Sequence, residues 1–202
     1  MRSEADRQAI QDAAAAAAAG DRDAFRRWVE LTHQTVYRLA YRLLDDPAAA
    51  EDVAQEAYLR AWQGLPTLRD PGAAFGWLCR IARNVAHDRH RAAYRKPTRS
   101  LDAPAGVEGS SLLDQLVDPG EDPEGQLDAA QVGQAVQAAL LELKEKHRLV
   151  LTLREIDGMS YEEIALALGM RIGTVESRLH RARQALAKKL RALSRERREG
   201  GV

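Results

Sequence analysis

The sequence predicts an all-α protein: two small helical domains joined by a flexible acidic linker. Three observations carry this. Alanine and leucine dominate, β-branched residues are sparse and aromatics make up only 5% of the chain, a balance that favours helices packed on helices. Apolar residues recur at helical spacing in the long segments, and no strand pattern competes with them. The zero formal charge over 202 residues is also unevenly spread. Phe75–Arg99 holds seven bases against Asp88 alone, and Arg171–Arg198 holds ten against Glu176 and Glu196. Between them, Leu101–Gly125 has seven acids and no base. Two basic surfaces therefore flank a connector that keeps off polyanions.

The elements follow in order. The alanine tract Ala13–Ala19 is too short to span a bilayer and lacks a basic segment before it, so no signal peptide is read. A single cysteine excludes an intramolecular disulfide framework and fits a reducing, cytoplasmic setting. Asp21 caps a first helix carrying Phe25, Val29, Val36, Leu39, Ala40 and Leu43 at helical spacing, and Asp45-Asp46-Pro47 ends it. "AAAEDVAQEAYLRAW" predicts a second helix to Trp62; two prolines and two glycines then mark a loop. A third helix spans about Phe75–Arg91. Lys96–Pro123 mixes Pro, Gly, Ser and Asp without periodicity and reads as linker. Further helices are expected over Asp128–Leu143, Glu145–Leu153, Ser160–Leu168 and Thr174–Ala192, with a frayed tail after them.

The helix from Thr174 places Val175, Leu179, Ala182, Leu186 and Leu190 in one apolar stripe. Ser177, His180, Arg181, Gln184 and Lys188 fall opposite, with Arg178 and Arg183 at the flanks. The helix before it opens with a capping box, Ser160 and Glu163, and closes on Gly169. Two such helices across a short turn make a helix-turn-helix, whose second helix enters a major groove. Arginine and histidine there donate to guanine, serine reaches either kind of base edge, and the other bases meet phosphates.

In "AEDVAQEAYLRAW", Val53, Ala54, Ala57, Tyr58 and Ala61 form the expected buried arc. Asp52, Gln55, Glu56 and Arg60 surround Leu59 on the other side. An acidic patch with a leucine centre suits a basic protein helix better than nucleic acid. "FGWLCRIARNVAHDRHR" sets Trp77, Leu78, Ile81, Ala82 and Val85 against Arg80, Arg83, Asn84, His87 and Arg91. Bases beside an asparagine suit a single strand with splayed bases.

"DVAQEAYLRAW", "WLCRIARNVAHDRHR" and "LREIDGMSYEEIALALGMRIGTVESRLHRARQAL", in that order and spacing, resemble the sigma factors of bacterial RNA polymerase. The similar class within the sigma-70 family is the extracytoplasmic-function (ECF, group IV) type, which keeps regions 2 and 4. The resemblance covers about Gly20–Leu193. It implies an N-terminal extension (1–19), region 2 (20–96), the acidic linker (97–124), region 4 (125–193) and a tail (194–202). It implies a promoter-specificity subunit that is no enzyme and uses no cofactor. Asp52, Gln55, Glu56 and Leu59 would then dock on the clamp helices of the largest subunit of core RNA polymerase. Arg80, Arg83, Asn84, His87 and Arg91 would melt promoter DNA and read its −10 element, Asn84 holding an extruded base. Glu176, Ser177, Arg178, His180, Arg181, Arg183, Gln184 and Lys188 would serve the −35 element. The linker would thread the polymerase cleft, its charge imitating RNA. An anti-sigma factor is implied as a further partner, with membrane association and zinc binding left open.

Glu176 departs from the family pattern, because many relatives carry a base there. A carboxylate accepts from cytosine N4 and repels phosphate, so a different −35 sequence is expected. The first 19 residues match nothing in the pattern. His87, Asp88 and His90 offer too few ligands for a metal site. Cys79 reads as a packing residue, and Trp28, Trp62 and Trp77 as core anchors. Two other readings remain open on the residues alone: a stand-alone helix-turn-helix regulator, and an adaptor whose basic helices bind acidic proteins.

Overall fold

Seven α-helices are set by the caps and apolar stripes of the sequence in a computed structural model that describes residues 2–95, 136 and 138–199. They are α1 (Glu4–Ala18), α2 (Arg22–Leu44), α3 (Pro47–Gly64), α4 (Ala74–Arg95), α5 (Glu145–Glu155), α6 (Tyr161–Leu168) and α7 (Ile172–Glu199). Two single 3₁₀ turns, Leu65–Thr67 and Pro71–Ala73, link α3 to α4, and residues 138–141 are also helical. The expected linker (97–124) and the start of the Asp128–Leu143 helix lie outside the described residues. Every described element is helical, as the composition predicted.

Caps explain the boundaries. Asp21 accepts from the amides of Asp23 and Ala24, and Asp45 ends α2 in the left-handed region at φ 53°. Asp46 then caps α3, with Pro47 at its first position where no amide is needed. Ser160 and Glu163 form the expected capping box of α6, and Gly169 closes it at φ 61°. Removing such a cap costs about 1 kcal/mol. Three boundaries differ from the sequence reading. α3 runs on to Gly64 and α4 to Arg95, because Gln63 and the residues after Arg91 are tolerated in helices. α7 continues through the expected frayed segment to Glu199, since no glycine or proline intervenes before Gly200.

The described residues fall into two compact units, one drawn from Met1–Pro97 with Leu149–Ser177, the other from Thr98–Arg148 with Arg178–Val202. In the first, α2, α3 and α4 pack around Trp28, Val36, Leu39, Val53, Leu78 and Val85, each essentially inaccessible. A fully buried side chain of this kind contributes about 1.5–3 kcal/mol. Phe25 lies 4.8 Å from Trp62 and 5.9 Å from Trp28, ring centre to ring centre, so tryptophans do anchor this core. The Thr32 hydroxyl donates to the Trp28 carbonyl at 2.6 Å and lies 2.7 Å from the Tyr58 hydroxyl, which gives both buried hydroxyls a partner between α2 and α3. In the second unit, Ala139, Leu143, Leu179 and Ala182 are buried, Arg148 donates to the Leu141 carbonyl at 3.0 Å, and Lys189 pairs with Glu142.

The N-terminal 19 residues, unexplained by the sequence, form α1. Ser3 and Asp6 make a capping box, and Ile10, Ala13, Ala14 and Ala17 form a buried stripe against α2. Alanines allow the two backbones to approach closely, so this stripe is a packing face.

Candidate nucleic-acid and polymerase-docking surfaces

The α3 surface is built by the buried arc on its far side. Val53, Ala54, Ala57, Tyr58 and Ala61 are all buried, which turns Asp52, Gln55, Leu59 and Arg60 outward and leaves Glu56 half-buried. Leu59 is 67% exposed, an unusual position for a leucine at the centre of a charged patch. Arg60 donates to Glu56 at 2.5 Å. From α4, Arg89 reaches Asp52 at 2.8 Å and Glu56 at 3.4 Å. Hydrogen bonding to Asp52, then to Glu56, raises the Arg89 pKa above its ordinary value. Arg89 was absent from the sequence-predicted site. Its partners lie 33 and 37 residues away, and no local spacing signals such a bond.

On α4, Arg80, Asn84, His87 and Arg91 are exposed along one stripe, while Arg83 is half-buried. Arg83 donates to the Ala167 carbonyl of α6 at 3.3 Å. Arg91 pairs with Asp88 at 3.0 Å. Burial, and then the fields of Arg83, Arg91 and His90, push the His87 pKa below the ordinary 6.5. Among these cations the protonated form of the His87 imidazole is disfavoured. Among the described residues no three His, Cys, Asp or Glu side chains come together to hold a metal ion. Cys79 is fully buried inside the apolar face, the packing residue the sequence predicted, and desolvation pushes its thiol pKa well above the ordinary value. Trp77 and Ile81 are half-buried rather than fully internal, so Leu78, Ala82, Val85 and Ala86 do most of the packing on this helix.

The α6–α7 turn has helix-turn-helix form. Gly169 through Arg171 separate the helices, and the Met170 amide closes the α6 end on the Ala165 carbonyl at 2.9 Å. Gly169 is required twice. It adopts left-handed backbone, and a Cβ there would come within 2.9 Å of the Arg83 guanidinium. On α7, Val175, Leu179 and Ala182 are buried, and Leu186 and Leu190 half-buried, as the stripe predicted. Glu176, Ser177, His180, Arg181, Arg183, Gln184 and Lys188 are exposed, with Arg178 half-buried at the flank. Ser177 donates to the Thr174 carbonyl at 3.1 Å, and Gln184 lies 3.0 Å from the His180 ring.

Known proteins match this arrangement. The sigma-70 region 2 family model matches residues 28–96, and the sigma-70 region 4 model matches residues 133–186. The ECF RNA polymerase sigma factor SigW of Bacillus subtilis is 39% identical over 86% of this chain and 92% of its own length. The ECF RNA polymerase sigma-E factor of Escherichia coli K12 is 35% identical over 87% and 91%. Among solved structures, CnrH in complex with the cytosolic domain of CnrY aligns at TM-score 0.57 and 28% identity, covering 91% of this chain and 98% of that one. RpoE of Bartonella quintana in complex with the anti-sigma factor NepR aligns at 0.54 and 25%, covering 83% and 96%. The chain belongs to the sigma-70 family of RNA polymerase sigma factors, in its ECF group.

Proposed function

We infer that this chain directs core RNA polymerase to specific promoters and initiates transcription there, acting by binding and contributing no chemistry of its own. The observation that carries the reading furthest is the α3 patch, in which exposed Leu59 sits among Asp52, Gln55 and Glu56. A DNA-reading protein acting alone has no use for an acidic, leucine-centred surface, whereas a subunit that must dock on a basic helix does. The α4 stripe of Arg80, Asn84, His87 and Arg91, with Arg83 beside it, is assigned to the −10 strand. The exposed face of α7 from Glu176 to Lys188 is assigned to the −35 duplex. Residues 20–96 and 125–193 act as regions 2 and 4. Among the described residues no helix is long and apolar enough to cross a membrane; a cytoplasmic site of action follows from the function. By likeness to CnrH and RpoE, whose structures hold CnrY and NepR, a protein of the anti-sigma class is a further partner.

The test is co-elution with bacterial core polymerase followed by run-off transcription on genomic DNA. Asp52→Lys with Glu56→Lys abolishes both. Because Arg89 pairs with both carboxylates, a triple variant adding Arg89→Glu restores the internal attractions and leaves docking abolished. Polymerase binding by either folded variant, checked by circular dichroism, removes the docking assignment. Tight sequence-specific binding of duplex DNA by the chain alone supports a stand-alone regulator instead.

A further inference from the structure

One glycine on the outer face of α7 serves nothing inside the protein. Seven glycines lie among the described residues. Six of them have either left-handed backbone or a neighbour within 3.1 Å of where a Cβ would stand. Gly173, the second residue of α7, has neither. Its φ is not positive, and outside its own helix nothing lies within 4 Å of an added Cβ. The residue is exposed. The amides of Thr174 and Val175 both donate to the Arg171 carbonyl, at 2.9 and 3.2 Å, so this first turn is ordinary helix. Alanine would form it better, because glycine gives up more backbone freedom for the same hydrogen bonds.

Its place on the helix gives the missing Cβ a use. Counting from Gly173, Ser177, His180, Arg181, Gln184 and Lys188 stand 4, 7, 8, 11 and 15 positions on. Those spacings keep to one side of a helix, the side opposite the buried Val175, Leu179 and Ala182. Gly173 therefore opens that face at its N-terminal end, from which a recognition helix contacts base edges. Arg171 before it is exposed, and Thr174 after it is half-buried. A backbone bare of side chain is what close approach to a ligand requires. Base-edge hydrogen bonds need heavy atoms within about 2.7–3.2 Å, so a standoff of about 1 Å at the leading turn breaks those behind it.

We propose that Gly173 is a positioning residue for −35 recognition: its bare backbone sets how deeply α7 enters the major groove, and so whether Ser177, His180 and Arg181 reach base edges. The proposal rests on the assignment of α7 to the −35 duplex. The competing account keeps the glycine for the turn alone. Backbone that alanine adopts equally well, with open space where its methyl group would stand, counts against that account.

The test pairs stability with affinity, because one substitution should move them in opposite directions. Gly173→Ala in the full chain holds or raises the thermal midpoint, by up to about 4 °C, as a better helix former does at a compatible position. Holoenzyme rebuilt from that chain and bacterial core polymerase is then titrated onto a duplex from a promoter mapped by run-off, carrying its −35 element without its −10 element. The variant binds this duplex about tenfold more weakly than wild type by fluorescence anisotropy, the size of one lost base contact. On the same duplex with the −35 element scrambled, the two holoenzymes bind nearly alike. A thermal midpoint below wild type means that the fold itself needs this glycine, and overturns the proposal. Unchanged affinity for the cognate duplex overturns it too. Equal weakening on both duplexes shows seating on phosphates with no part in base reading, which overturns the positioning role. Wild-type holoenzyme that fails to separate the cognate from the scrambled duplex overturns the −35 assignment of α7, and the proposal with it.

Discussion

The two basic helices, α4 and α7, look interchangeable by composition and differ in what their charges already touch. On α4, Arg83 is held by a backbone carbonyl, Arg89 by Asp52 and Glu56, and Arg91 by Asp88. On α7, Lys189 pairs with Glu142, while Arg181 and Lys188 stand exposed on the side opposite the buried stripe. The contrast teaches that a count of bases overstates a nucleic-acid surface wherever the fold supplies the anions itself. It fits the separate tasks proposed for them. A reader of intact duplex needs charge at all times, while a reader of melted strand needs it only after the duplex has opened.

The apolar faces are where the two helices should agree, and the largest effect is expected there. Leu78 on α4 and Leu179 on α7 are both essentially inaccessible. Leu78→Ala and Leu179→Ala should each lower stability by about 2–4 kcal/mol in chemical denaturation. A loss under about 1 kcal/mol at either would mean that helix is not packed as described. On the polar faces the helices should part. Arg181→Ala should cost about 1–3 kcal/mol of holoenzyme–promoter affinity, chiefly on promoters with the cognate −35 base, as read by gel shift. Asn84→Ala should spare a −35 fragment and impair melting, seen as lost permanganate reactivity of thymines. The reverse pattern would exchange the roles of α4 and α7.

Two smaller effects sharpen the contrast. Arg89→Ala should change stability by about 0–1 kcal/mol, because its pairs are solvent-screened, and should leave single-strand affinity nearly unaltered. The last is a pH effect on α4. The folded His87 pKa is depressed, so as pH falls below 6.5 the unfolded chain takes up this proton first, and His87 subtracts stability from the free fold. A bound phosphate reverses the sign by favouring imidazolium. Single-strand affinity should therefore rise as pH falls through that range, and fluorescence anisotropy on His87→Gln should show a flatter profile.

Helix identity and outward faces were legible because both follow from local periodicity. The Ser160–Glu163 box, the Gly169 stop and the Val175–Leu179–Ala182 stripe are all written within a few residues of one another. The site's electrostatics were less legible. Nothing near Arg89 announces Asp52, because charge pairing across more than 30 residues depends on packing angles that sequence spacing does not encode. α1 is a different kind of miss. Ser3 and Asp6 have capping-box spacing, and Ile10, Ala13, Ala14 and Ala17 have helical spacing, but an alanine stripe carries too little apolar contrast to stand out.

The packing of residues 149–177 against the first 97 has a consequence in time. α1 through α4 all precede residue 96, so the residues of their shared core are synthesised well before α6, which belongs to a much later part of the chain. Roughly 50 residues separate α4 from α5, and at ~5–20 residues per second their synthesis takes several seconds. Throughout that interval the nascent protein has α4 in hand but not the helix that covers it. The order of translation alone gives a competing ligand first access to Arg83, before the chain's own helix arrives to claim it.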